Sequence, residues 1–171
     1  GVTISATAGF RINTTRAAVD ERIDVNGTSI AILFTQAESQ AGNVFGFFVT
    51  DLKVNIADFV TIEGNVSFDN SDHGVPGATG GFVGEGLNIF LGQGAVTLKH
   101  GDPNPNAIGV MLSDASIALL KFGTGQYAIE AEGTVRLIGL DGLNVSGTAK
   151  IRINASGRNI PTVTFAIPGT S

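Results

Sequence analysis

His73 and His100 are the only histidines in the chain, and they set the limit on acid–base chemistry. A nucleophilic triad would need one of them with Asp72 or Asp102 beside it. No Gly-x-Ser-x-Gly elbow is present to carry the nucleophile. A solvated loop histidine accounts for each more simply. Glu130 and Glu132 share one strand face, a spacing that makes a wet face more often than a pair of glycosidase carboxylates. Gly84-Glu85-Gly86, Gly92-Gln93-Gly94 and Gly123-Thr124-Gly125 have the look of phosphate cradles. None opens a helix and no Gly-Lys-Ser/Thr follows, so they read as turns.

Calcium is the cofactor that the residues suggest best. Asp102, Asn104 and Asn106 place oxygens at alternate positions of a loop, and Asp69 and Asp72, with Asn70, form a second oxygen-rich cluster. A hard cation takes several oxygen ligands at about 2.4 Å from such a loop. The bidentate glutamate of an EF-hand is missing, and Asx turns capping their own backbone explain the same residues. Five Asn-x-Ser/Thr sequons begin at Asn13, Asn26, Asn65, Asn144 and Asn154. They are glycan acceptors in a secreted eukaryotic chain, or plain Asn/Ser/Thr richness on the wet face of sheets, which is the simpler reading.

Composition excludes whole classes. The chain has 171 residues, 43 % of them hydrophobic and 15 % charged, with 24 glycines and no cysteine. It is too apolar to be disordered and lacks the strict glycine period of collagen. Without cysteine there is no disulfide framework and no thiolate chemistry. A net charge of −5 and a pI near 4.8 argue against nucleic acid as a partner. No run of about 18 apolar residues exists to form a transmembrane helix, and residues 1–5 show no signal-peptide pattern.

The informative feature is an internal repeat. Residues 1–13, GVTISATAGFRIN, recur as 142–154, GLNVSGTAKIRIN. Gly1, Ser5, Thr7, Ala8, Arg11, Ile12 and Asn13 match Gly142, Ser146, Thr148, Ala149, Arg152, Ile153 and Asn154. Val2, Ile4 and Phe10 are replaced by other apolar residues. After one inserted residue, Asn26-Gly27-Thr28-Ser29 lines up with Pro168-Gly169-Thr170-Ser171. The reading is one module over 1–141, with 142–171 as the start of the next or as a strand that pairs with a neighbouring subunit. A weaker echo relates 52–64 to 135–147. It is an old duplication or two amphipathic strands with a similar bend.

Period-2 alternation dominates. Strands are expected at 2–13, 22–34, 45–56, 59–68, 87–91, 108–112, 115–122, 127–139, 143–153 and 162–167. Residues 15–22 and 35–41 suit one or two helical turns, and 69–86 and 99–107 read as loops. One wet and one dry face per strand favours antiparallel sheet. The expected fold is therefore all-β, an antiparallel sandwich or flattened roll, with a β-solenoid as the alternative.

The strings GLNVSGTAKIRIN, VNGTSIAILF, FVTIEGNVSF and GQYAIEAEGTVRLIGLDGLNVSG resemble tandem modules of very large Gly/Val/Thr-rich bacterial surface or secreted proteins. The resemblance implies an extracellular or cell-surface array, structural or adhesive and often calcium-associated. The expected function is a non-enzymatic stalk, sheath or filament module whose partners are copies of itself. Its interaction residues would be Val2, Ile4, Phe10, Ile12, Leu143, Val145, Ile151 and Ile153. The alternative is a calcium-dependent adhesin or carbohydrate-binding module.

Overall fold

A computed structural model describes the chain except residues 41, 58, 97–103, 124, 166, 169 and 171. The elements in order are β1 (Val2–Asn13), β2 (Val19–Val25), β3 (Thr28–Phe34), α1 (Gln36–Gln40), β4 (Val44–Ile56), β5 (Val60–Asp69), β6 (Ala78–Gln93), β7 (Ile108–Phe122), β8 (Tyr127–Ile138) and β9 (Ser146–Asn154). Seven strands form one sheet in the order β1-β4-β5-β6-β7-β8-β9, and β2 pairs with β3 in a separate hairpin. Every pairing is antiparallel. The all-β, antiparallel reading is borne out, and the sheet is neither closed nor a solenoid.

Alternation writes one face of the sheet in apolar rows. Phe10, Phe47, Phe68, Phe82, Leu119, Ile129 and Ile153 stand opposite one another across all seven strands. Ile4, Val54, Ile62, Ile89, Leu112 and Val135 form a second row on the same face. The buried core lies on the other face. There Val75, Leu120 and Phe122 pack with Ile160, Val163 and Phe165 from the segment after β9.

Between the two rows a line of bulges crosses the inner strands. Register slips at Asp51 in β4, Gly64 in β5, near Gly86 in β6 and at Asp114 in β7. All four have positive φ. Strands β4, β6 and β7 each gain a residue there and bend, while Gly64 of β5 lies opposite the bulges of β4 and β6 without an extra residue. The bulge at Asp114 joins what alternation divides into two strands, 108–112 and 115–122, into the single strand β7.

The structure departs from expectation in further places. Residues 19–22, expected in helical turns, open β2, and the expected strand 22–34 turns at 26–27 into the β2–β3 hairpin. The glycine-rich stretch 78–86 is not loop but the first half of β6. A Cβ at Gly81 would run into His73, and one at Gly84 would stand 2.8 Å from Ile117 and Leu87. These glycines admit neighbouring side chains onto the strand instead of breaking it. Residues 162–165 and 167, expected as a strand, belong to none. They are held by side-chain burial, with Ile167 4 % exposed, where the matching β2 is held by its ladder to β3. The short helix α1, by contrast, falls inside the expected 35–41. Thr35 Oγ1 accepts from the Glu38 N–H at 3.3 Å and Glu38 Oε2 accepts from the Thr35 N–H at 2.8 Å, a capping box.

Candidate functional site: the two sheet edges

The repeated text occupies opposite edges of one sheet. β1 is the first strand and β9 the last. Six antiparallel steps separate them, so they run in the same direction. Their apolar side chains are exposed: Val2 61 %, Ile4 69 %, Phe10 68 %, Ile12 59 %, Ile151 56 % and Ile153 45 %. Leu143 and Val145, exposed as well, lead into β9. All eight expected interaction residues thus lie on or beside the two edge strands.

The equivalence extends to individual hydrogen bonds beyond each strand. Asn13 Nδ2 donates to the Ala17 carbonyl at 2.8 Å, and its Oδ1 accepts from the Thr15 N–H at 2.9 Å and hydroxyl at 2.7 Å. Asn154 Nδ2 donates to the Arg158 carbonyl at 2.8 Å, and its Oδ1 accepts from the Ser156 N–H at 3.0 Å and hydroxyl at 2.6 Å. Arg16 and Gly157, at matching places, both have positive φ, 58° and 70°. The two asparagines that open sequons are therefore turn-formers, with their amides bonded to backbone. The recurrence of Asn-x-Thr and Asn-x-Ser at an offset of 141 was the signal for this role.

The weaker echo is also structural. Val54 faces Ile62 across the β4–β5 hairpin. At the same offset of 83, Leu137 donates to the Val145 carbonyl at 3.0 Å at the start of the β8–β9 hairpin.

Hydrogen-bond phase separates the two edges. Neighbouring positions of an antiparallel strand send their backbone groups to opposite sides. Ala57 donates to the Gly1 carbonyl at 2.7 Å, so β1 bonds β4 through its odd residues, Gly1 to Asn13. The extra residue of the β1–β4 bulge is in β4, so the phase of β1 is unbroken. Ile4, Ala6, Ala8, Phe10 and Ile12 direct their backbone groups off the sheet. At the other edge, Leu137 bonds Val145 and Ala155 donates to the Tyr127 carbonyl at 2.9 Å, so β9 bonds β8 through odd residues as well. An offset of 141 turns odd into even. The positions that β9 uses, 145 to 153, match the positions that β1 leaves free, 4 to 12.

Charge on the edges is local. On β9, Lys150 Nζ lies 2.7 Å from Glu130 and 3.0 Å from Glu132, and Arg152 Nε lies 2.8 Å from Glu130. The Lys150 ammonium and then the Arg152 guanidinium hold the Glu130 carboxyl below its usual range, and Glu130 and Glu132 push Lys150 up. Both carboxylates are thus ion-paired with Lys150 across the β8–β9 ladder. On β1, Arg11 bonds Glu38 at 2.9 Å and the Leu33 carbonyl at 2.9 Å, and lies 4.9 Å from the centroid of the Phe34 ring. Burial pushes the Glu38 carboxyl up, but Thr35 and Arg11 outweigh it and hold it low.

Of the expected metal ligands among the described residues, Asp69 ends β5 and Asp72, Asn104 and Asn106 lie in two loops. Asp72 Oδ1 accepts from Gly74 at 2.9 Å, and Asn104 Oδ1 accepts from the Asn106 N–H at 3.0 Å. Asp69 accepts from the Ser71 N–H at 2.8 Å and stands 2.9 Å from His73 Nε2. Burial raises the Asp69 carboxyl, while His73 and Ser71 together hold it below its usual range. Asp102 and His100 lie outside the described residues. Among the described residues no three His, Cys, Asp or Glu side chains gather as a metal site, and no helix is long and apolar enough to cross a membrane. A groove of about 800 Å³ runs along the buried face between β6–β9 and residues 159–165, with Glu85, Glu130 and Arg152 at its rim. Comparison with family models, with curated proteins and with solved structures gives no match.

Proposed function

We propose that the chain is a non-enzymatic structural module of an extracellular or cell-surface stalk, sheath or filament, which associates with copies of itself through its sheet edges. The observation that carries this reading is the placement of one strand-forming text at both edges of a single sheet, in the same direction and with opposite sides left open. An edge strand is a template for another strand unless a bulge, a proline, a charged side chain or a covering element blunts it. The charges on these two strands, Arg11, Lys150 and Arg152, are ion-paired within the chain. Neither β1 nor β9 contains proline, and the bulges fall in the inner strands. A sheet made of such units grows by nearest-neighbour contacts, as repeat proteins do.

Sedimentation velocity tests the reading. The full chain is expected to form species that lengthen with concentration. A variant lacking residues 1–13 is expected to keep its far-ultraviolet β signature and stay monomeric. A deletion variant that assembles as the full chain does would refute it.

A further inference from the structure

We propose that the free edge of β1 docks on β8 of a second copy, in the seat that β9 occupies, while β1 stays bonded to its own β4. The proposal rests on the self-association reading and names the strand, the register and the direction. The register follows from the offset. Ile4, Ala6, Ala8, Phe10 and Ile12 take the places of Val145, Gly147, Ala149, Ile151 and Ile153. They therefore bond Leu137, Val135, Gly133, Ala131 and Ile129 of the second copy. Each of these β1 residues already directs its N–H and C=O outward, so β1 need not move. The β9 strand of the second copy must leave.

Side chains agree with this placement. Ile12 takes the place of Ile153 opposite Ile129, and Phe10, the first residue of the incoming apolar row, comes opposite Ala131 on the same face. Arg11 takes the place of Arg152, whose Nε lies 2.8 Å from Glu130. The Lys150 ion pairs are not reproduced, because Gly9 stands at that position, and exposed pairs of this kind contribute little. Strand β2 agrees too. Ile23 and Val25, 49 % and 47 % exposed, align with Phe165 and Ile167 of the packed segment after β9. When β9 leaves, that segment leaves with it, and the hairpin of the incoming copy carries apolar residues in place of Phe165 and Ile167, while Glu21 stands in place of Val163.

The exchange has one direction. Gly9 lies under the Phe48 ring, and a Cβ there would collide with the ring. The residue of β9 at that position is Lys150. Strand β9 therefore cannot take the seat of β1 on β4 unless Phe48 turns away, whereas β1 meets no such obstacle on β8. Growth is head to tail and heterologous, so it does not close on itself. The sheet gains six strands per copy, about 29 Å at ~4.8 Å per strand.

Cysteine pairs report the register, and the chain has no cysteine of its own. Thr134 faces Thr148, the counterpart of Thr7. Within one chain β1 and β8 are five strand spacings apart, roughly 24 Å, far beyond the ~7 Å Cα limit for a disulfide. Under mild oxidation Thr7→Cys/Thr134→Cys is expected to give a ladder of covalent oligomers, and Ser5→Cys/Thr134→Cys, two residues out of register, at least tenfold less. Adding Ala149→Pro, which removes a β9 donor facing β8, is expected to raise the ladder several-fold. Oligomers that sediment together but never cross-link at 7/134, or that cross-link equally at 5/134, would overturn the docking and leave the self-association reading standing. A chain that stays monomeric in every variant would overturn both.

Discussion

Replacing Phe122 by alanine is expected to lower the free energy of unfolding by about 3–5 kcal/mol, the usual cost of emptying a fully buried aromatic site. Phe122 is 1 % exposed and packs with Val75 and Leu120. It also joins two parts of the chain, because Ile160, Val163 and Phe165 close over this cluster and the Arg158 guanidinium lies 5.0 Å from the ring centroid. Arg158 in turn donates to the Pro76 carbonyl at 2.7 Å, which ties the segment after β9 to the loop before β6. The loss should show as a lower urea midpoint. Phe122→Leu, which keeps most of the volume, is expected to cost less than about 1.5 kcal/mol. Equal midpoints for Phe122→Ala and the parent would mean that this cluster does not hold the segment.

The second large effect is expected at the end of the β6–β7 ladder, where Gly109→Ala should cost about 1–3 kcal/mol, the range for overpacking. Gly92 and Gly109 face each other across β6 and β7. A Cβ at Gly109 would collide with the Leu91 carbonyl and stand 2.7 Å from the Gly92 Cα and 2.8 Å from the Phe90 ring. Backbone cannot swing aside as a side chain does. The two glycines leave room for the Phe90 ring, which is 1 % exposed. Thermal unfolding checks this, at roughly 2–4 °C per kcal/mol for a chain of this size. Gly147→Ala in the edge strand, where a Cβ meets nothing within 4 Å, is the control.

The β architecture was legible because alternation is a local signal. The strand limits of β1, β4, β5 and β8 fall within two residues of where the pattern changes. Glycine misled the reading in 78–86, because the same residue breaks a strand at a turn and admits a neighbour within a sheet. Side chains such as His73 and Ile117, distant in sequence, decide between the two. The bulge at Asp114 showed in the sequence as a gap between strands, since one extra residue resets alternation as a turn does.

At the candidate site, the repeat marked both edge strands and the eight exposed apolar residues expected to interact. It did not show that β1 and β9 bond through opposite sets of positions. That phase is fixed by which strands lie beside them, β4 for one and β8 for the other, and strand order is a long-range property. Nor did it show that Gly9 and Lys150, at one position of the repeat, give the edges a direction. Phe48, which makes the difference, lies on another strand.

Cryo-electron microscopy of the purified full chain tests the central claim most directly. The account predicts unbranched fibres whose strands lie across the long axis, with a step of about 29 Å per copy from six strands at ~4.8 Å. Isolated single-chain particles at every concentration, or fibres whose copies meet away from β1 and β8, would contradict it.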